Sequence, residues 1–166
     1  MLTKLKESYE RLVSSKEFKN KGFLASAFLS CPVEDLEKSD WQLDFYDEKT
    51  DTMTAYTVHD NITGEEDSEV FRDEEKKVEI EELKLDEIKI DFEKLKEKLD
   101  MMLEGHRETP LKITIILQKQ HVPLWNILYI TKNFNLLNIK LSASDGEILE
   151  DKLINLISFE KGDYKG

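Results

Sequence analysis

Three histidines are the side chains of this chain best suited to acid–base or metal chemistry. They are His59, His106 and His121. Each falls at the end of a predicted element, and none has a second histidine or a cysteine three or four residues away, as zinc sites usually do. We therefore interpret them as unrelated surface residues. The sequence also lacks a Gly-x-Ser-x-Gly turn, an HExxH pair and a glycine-rich phosphate loop, so it predicts no catalytic residues and no cofactor.

Acidic residues suggest a second kind of chemistry, which is cation binding. The stretch from Asp60 to Asp67 reads DNITGEED and has the composition of a calcium loop. However, Gly64 stands at its fifth position, whereas a hand-type calcium loop needs glycine at the sixth. We predict no metal site there. Binding of a loose cation by the acidic segment 60–100 is left open.

Aromatic side chains are the remaining candidates, and they admit two interpretations. As core residues, Trp41 and Trp125 would hold a sheet against a helix. As partly exposed residues, they would line a groove for a peptide or an apolar ligand, together with nearby aromatic and imidazole side chains. The candidate groove residues are Trp41, Tyr46, Tyr56, His121, Trp125 and Tyr129.

The charge of the chain excludes several classes of partner. Its 36 acidic and 24 basic residues give a formal net charge of -12 and a sequence pI near 4.8. Such a surface repels phosphate backbones and anionic membranes, so we expect neither nucleic acid nor membrane as a partner. The segment 60–100 holds nine of the twelve excess negative charges. It is typical of a solvated connector and helix face, or of a docking surface for a basic partner.

Cysteine usage and the N-terminal sequence bear on the compartment. Cys31 is the only cysteine, so no internal disulfide can form, and its apolar neighbours favour a buried thiol over a nucleophile. Residues 1–18 contain no apolar run of signal-peptide length, and no stretch approaches the length of a membrane span. We expect a cytoplasmic protein.

Hydrophobic periodicity predicts two helices and a set of strands. Apolar residues at helical spacing favour a helix over 2–18, with Gly22 beyond its end, and a second helix from the N-cap Asp91 to Gly105. Residues 147–159 fit a short strand, a short helix or both. The other predicted strands are 23–29, 41–47, 52–58, 112–120, 125–130 and 137–143, with short edge strands at 69–72 and 78–82.

The order of these elements recurs along the chain. The apolar residues of the first helix match those of the second at an offset of 90, and Trp41 and Trp125 each begin a strand that follows a proline. This pattern predicts an α+β protein of two helix-plus-curved-antiparallel-sheet units in tandem, of the cystatin-like kind. The units would be 1–72 and 91–166, joined by an acidic connector, 73–90. They could pair edge to edge or pack helix to helix.

The second unit resembles a PepSY or PepSY-like domain. The resemblance rests on the strand that begins at Trp125, the strand LNIKLSAS from Leu137, and the closing turn Asp145-Gly146-Glu147. It covers residues 88–150, and more faintly residues 2–72, where Asn61 to Gly64 stands for the closing turn. Ser142 departs from the pattern, since an aspartate is usual there. The resemblance implies an inhibitory, chaperone-like or binding module without catalytic residues; many members are exported, and this chain shows no export signal.

Together these observations predict a protein that is not an enzyme. We expect it to bind an unknown protein or peptide through a sheet face or edge, and a homodimer through a sheet edge is a further option. The alternative is a small-ligand-binding protein or a minor enzyme with a cleft between helix and curved sheet. A deep cleft with convergent polar groups would favour the alternative, and a filled one would favour the binding module.

Overall fold

Two helices and eight strands make up the described part of the chain. The computed structural model describes residues 1–19, 22–67 and 79–157. The helices are α1 (Leu2–Val13) and α2 (Phe92–Gly105), and short 3-10 turns lie at Val33–Asp35 and Leu85–Glu87. The strands are β1 (Phe23–Pro32), β2 (Gln42–Asp47), β3 (Thr52–Val58), β4 (Ile62–Asp67), β5 (Pro110–Gln120), β6 (Val122–Thr131), β7 (Asn135–Ser142) and β8 (Ile148–Asn155).

All eight described strands form one antiparallel sheet in the order β4-β3-β2-β1-β5-β6-β7-β8. At its centre β1 pairs with β5 over seven residue pairs, from Ser26 opposite Gln118 to Pro32 opposite Lys112. The prediction of two tandem helix-plus-sheet units, and with it the internal repeat, is therefore wrong. Separate sheets would each expose the unpaired backbone groups of β1 or β5, and pairing these two strands removes both edges.

One face of the sheet carries a single core that both helices cover. A row of paired residues crosses its middle: Leu29, Ile115, Ile127 and Ile139 are at most 2% exposed. These residues belong to the same buried cluster as the inner faces of α1 and α2, which contribute Leu5, Leu12, Phe92, Leu95, Leu99 and Leu103. Burying each such side chain contributes roughly 1.5–3 kcal/mol, so the shared core holds both helices to one sheet.

The N-termini of the two helices meet at Asp91. Its Oδ1 accepts hydrogen bonds from the backbone N–H of Phe92, at 2.6 Å, and from that of Leu2, at 3.1 Å. The predicted N-cap is thus confirmed, and the same carboxylate also binds the first residue of α1. Since unsatisfied N–H groups and the positive end of the helix dipole favour an anion at both positions, Asp91 fixes the helices relative to each other.

The segment before α2 is fastened across the core. Leu83 and Ile88 are buried, and the N–H of Leu83 donates to the carbonyl of Leu24 at 2.7 Å. Farther along, the N–H groups of Lys89 and Ile90 both donate to the carbonyl of Ala143, each at 2.9 Å. The segment 79–90 therefore ties β1 to the end of β7.

The opposite face of the sheet carries polar ladders between apolar residues. Ser30 and Thr114 hydrogen-bond across β1 and β5 at 2.8 Å, and Ser26 donates to Asp44 at 2.8 Å. Burial raises the pKa of the Asp44 carboxyl, and hydrogen bonds from Gln42 and Ser26 only partly offset this.

Several element boundaries differ from the sequence predictions. Helix α1 ends at Val13 rather than residue 18, since the serines that follow favour turns over helix interior. Strand β4 was expected to be a turn, and it pairs instead with β3. Residues 69–72 lie outside the described part of the chain, whereas the described residues 79–82 form no strand.

Candidate functional site

The six predicted groove residues occupy different parts of the fold. Trp41, Tyr56, Trp125 and Tyr129 belong to the core cluster and are at most 5% exposed. Tyr46 points to the opposite face of the sheet, where its hydroxyl donates to Asp51 at 2.5 Å. His121 forms the β5–β6 turn with a φ of 66°. Of the six, Trp41 and Tyr129 line the adjoining pockets described below.

The side chains of two of the three histidines contact an acidic side chain, whereas His121 donates its backbone N–H to Glu81. The Nδ1 atom of His59 contacts Asp40, and Nε2 of His106 lies 2.8 Å from Asp151. Burial would raise the pKa of Asp40, but hydrogen bonds from His59 and Lys4 lower it overall. Within residues 1–19, 22–67 and 79–157, no group of three His, Cys, Asp or Glu side chains could hold a metal ion. Cys31 is buried, at 6% exposure.

One cleft, which we call the α1 cleft, has a volume of about 740 Å³. One wall is α1, the other is the segment 82–86, and its floor contains the edge-to-face pair Phe18 and Phe45, whose ring centroids lie 4.9 Å apart. Tyr9 stacks on Phe45 from above. The apolar lining residues are Tyr9, Val13, Phe18, Phe23, Leu24, Phe45, Leu83 and Leu85.

Charged side chains surround the mouth of the α1 cleft. Lys6 and Glu10 lie one turn apart on α1, and Glu82, Lys84 and Asp86 follow on the facing segment. All five are exposed. The cleft therefore combines an aromatic floor with a rim of mixed sign that holds one more acidic than basic group.

A second cleft, which we call the Trp41 cleft, consists of two adjoining pockets beneath residues 33–39. The smaller has a volume of about 240 Å³ and is lined by Trp41, and the larger has about 360 Å³ and is lined by Tyr129. The two pockets share Leu36, Glu37 and Lys96 as lining residues. The cleft therefore runs between α2, the Val33–Asp35 turn and the sheet.

The indole N–H of Trp41 has no hydrogen-bond partner in the described part of the chain, although the side chain is fully buried. Leaving a buried donor unsatisfied costs about 1–3 kcal/mol. By contrast, the indole N–H of Trp125, equally buried, donates to the carbonyl of Ile90 at 2.9 Å. The fold thus satisfies one tryptophan and leaves the other, whose side chain lines a pocket, with a buried donor and no acceptor among the described residues.

Two further polar groups line the Trp41 cleft. Burial raises the pKa of the Tyr129 hydroxyl, and the Asp100 carboxylate raises it further, so this phenol stays protonated at neutral pH. Lys96 is half-buried and forms no ion pair with any residue in the described part of the chain. The cleft therefore presents hydrogen-bond donors and, in Lys96, a half-buried cation without an ion pair among the described residues.

Sequence reasoning named two lining residues of the Trp41 cleft and missed the others. Leu36 and Glu37 lie between the predicted strands 23–29 and 41–47, where the sequence indicated no element, and Lys96 lies beside the apolar stripe of α2. In the α1 cleft, Phe18 was placed within the helix that ends at Val13. The aromatic residues Phe18 and Phe23 on either side of Gly22 were the available signal for this cleft.

Comparison with known proteins adds one structural likeness. No family model matches the chain, and no curated protein matches it. The crystal structure of a putative lipoprotein from Clostridium difficile 630 is similar over 92% of this chain and 90% of that chain, with 14% sequence identity and a TM-score of 0.48. That description stands against our expectation of a cytoplasmic protein, which we withdraw. At this TM-score and identity the likeness assigns neither a compartment nor a function.

No helix among the described residues is long and apolar enough to cross a membrane.

Proposed function

We propose that this protein is a non-catalytic peptide-binding module and that the α1 cleft is its binding site. The observation that carries the proposal is an open cleft of about 740 Å³ with an aromatic floor. Small-molecule and side-chain pockets have volumes of about 300–1,000 Å³ and combine apolar walls with a few polar groups. The α1 cleft meets both conditions.

The expected ligand is a short basic peptide with one or two apolar anchor residues. Tyr9, Phe18 and Phe23 are half-buried and provide the apolar contact area for an anchor side chain. The rim holds three acidic groups against two basic ones, and the whole chain has a net charge of -12. Long-range attraction therefore favours lysine or arginine beside the anchor, and salt should weaken the binding.

Selection of random peptides on the full chain tests the proposal. We expect enriched sequences that combine an aromatic or branched apolar residue with lysine or arginine. The affinity of a synthetic version, measured by fluorescence anisotropy, should fall as salt increases. Peptides without either feature, or an affinity independent of salt, would contradict the proposal.

A matched pair of variants locates the site. Val13→Arg places a cation at the cleft and should weaken the selected peptide by about tenfold or more, since a bulky like charge now meets the ligand. Val122→Arg makes the same change in the β5–β6 turn, outside the cleft. The two valines are 38% and 43% exposed, so both substitutions should be tolerated. Equal binding by both variants would exclude the α1 cleft.

A further inference from the structure

The Trp41 cleft has a feature that the α1 cleft lacks, which is a buried donor without an acceptor. Trp41 is fully buried, and its N–H has no partner within residues 1–19, 22–67 and 79–157. Trp125 shows that this fold can place a carbonyl opposite an indole N–H, here that of Ile90 at 2.9 Å. Buried polar groups are nearly always hydrogen-bonded, so the Trp41 N–H lacks an acceptor that a ligand could supply.

The groups that surround this donor favour an anionic acceptor. Lys96 lines both pockets and forms no ion pair within the described residues, so its ammonium is available to a ligand. Lys4 is engaged, because it donates to the carbonyl of Ser39 at 2.5 Å and lies 3.4 Å from Asp40. The carboxylate of Glu93 lies 2.8 Å from the Met1 amino group. Lys38 also lines the larger pocket without an ion pair among the described residues, but it is exposed. Lys96 is therefore the half-buried lysine of this cleft that is left to meet a negative charge.

The acidic residues that line the Trp41 cleft do not remove its preference for an anionic ligand. Glu34, Glu37 and Asp100 also line the pockets, but all three are exposed to solvent, where water screens their charge. The Trp41 N–H and the half-buried Lys96 lie deeper, where electrostatic interactions are stronger. A carboxylate that reaches these two groups forms charge-assisted hydrogen bonds.

The remaining walls are apolar and fit a hydrocarbon body. Leu29 and Leu36 line the smaller pocket beside Trp41, and Leu103 and Ile113 line the larger one. The Tyr129 hydroxyl stands in the larger pocket as a second polar group. We propose that the Trp41 cleft binds a small apolar carboxylic acid, with its carboxylate between the Trp41 indole N–H and Lys96 and its hydrocarbon body beneath Leu36.

Nuclear magnetic resonance of the ¹⁵N-labelled full chain tests this proposal directly. The two indole N–H signals are assigned with Trp41→Phe and Trp125→Phe, and the protein is titrated with sodium octanoate or 4-phenylbutyrate. We expect a saturable shift of the Trp41 signal, with the Trp125 signal unchanged. The neutral analogue 1-octanol should give no comparable shift, because it lacks the charge that Lys96 recognises.

Charge reversal on α2 provides matched variants. Lys96→Glu should weaken octanoate by about tenfold or more, since it removes the cation and adds a repelling charge. Lys94→Glu makes the same change at an exposed position of the same helix, outside the pockets, and should leave the affinity unchanged. Val13→Arg should also leave octanoate binding intact, so a failure of the α1 cleft and a failure of the Trp41 cleft are distinguishable.

Three outcomes would overturn the proposal. The first is no saturable response of the Trp41 signal to either acid. The second is an equal loss of affinity in the Lys94 and Lys96 variants. The third is magnetisation transfer from water to the Trp41 N–H with no response to the acids, which would assign the acceptor to a bound water molecule.

Discussion

At the scale of single residues, the two tryptophans are the most informative comparison in the molecule. Both are fully buried, and both lie in the same core. Trp125 packs edge-to-face against Phe92, with ring centroids 6.0 Å apart, and its N–H is bonded to Ile90. Trp41 belongs to the same apolar core, but no described residue provides an acceptor for its N–H. A comparison of the two tryptophans therefore separates the contribution of packing to stability from the contribution of the indole hydrogen bond.

We predict that Trp125→Phe destabilises the protein more than Trp41→Phe does. Both substitutions remove a similar volume from the core, but only the first breaks a buried hydrogen bond and leaves the Ile90 carbonyl without its donor. The second removes a donor that was already unsatisfied. The difference in the free energy of unfolding should be about 1–3 kcal/mol. Urea denaturation followed by far-ultraviolet circular dichroism measures it, and a larger loss in Trp41→Phe would be inconsistent with an unsatisfied N–H.

Residue types alone could not distinguish these two tryptophans. Each begins a strand pattern after a proline, so the sequence presents them as equivalent. The acceptor for Trp125 is 35 residues away along the chain and reaches it only because the segment before α2 is bound to the end of β7. Whether a buried donor finds an acceptor depends on tertiary contacts, and the hydrophobic periodicity of the sequence does not show these contacts.

At the scale of elements, two glycines near predicted helix ends turn out to have different roles. Gly105 is the last residue of α2, as predicted. Gly22 lies well beyond the end of α1, adopts a φ of 76°, and would place a Cβ 1.8 Å from the carbonyl oxygen of Tyr46. A backbone conformation in the left-handed region and a close strand contact both require glycine there. A Cβ at Gly105 would contact nothing within 4 Å.

Alanine at these positions should have opposite effects on stability. Gly22→Ala should cost more than about 2 kcal/mol, because the added methyl group collides with backbone and the conformation is strained. Gly105→Ala should raise stability by about 0.5–1 kcal/mol, since alanine loses less conformational freedom in a helix. Thermal and urea denaturation of both variants provide the measurement. A tolerated Gly22→Ala would mean that β1 and β2 do not approach as described.

Element prediction succeeded where one face of an element is buried. Strands β3, β5 and β7 were recognised from alternating or branched apolar residues, and α2 from its cap and apolar stripe. Strand β4 was missed, because its sequence ITGEED has one apolar residue and the composition of a loop. It is an edge strand, and it is held in place by its pairing with β3 rather than by an alternating pattern of apolar residues.

At the scale of the whole molecule, the sheet formed by the described residues ends in two edge strands of different character. β4 carries the acidic residues Glu65 and Glu66, whereas β8 exposes Ile148, Leu149 and Leu153. An acidic edge repels a second copy of itself, and an apolar edge is a common route to strand pairing. Association of two copies through a sheet edge stays a prediction, and β8 is the edge that favours it.

The joining of the two halves could not be predicted from the sequence. The pairs between β1 and β5 join residues at least 80 positions apart, and neither strand contains a signal for its partner. Residue patterns were equally compatible with two sheets that pack helix to helix. The decisive contribution is the free energy gained when two unpaired strand edges and two partial cores combine.

Because the two halves of the chain share one core, we predict that they unfold together. Trp125→Phe leaves Trp41 as the only fluorescent tryptophan and reports on the half that contains β2, while Trp41→Phe reports on the half that contains β6. In each variant, the urea midpoint from fluorescence should coincide with that from circular dichroism, which follows the whole sheet. The comparison is made within each variant, because the substitutions themselves change stability. A fluorescence midpoint that differs from the circular dichroism midpoint in either variant would show that the β1–β5 pairing joins two units that unfold separately.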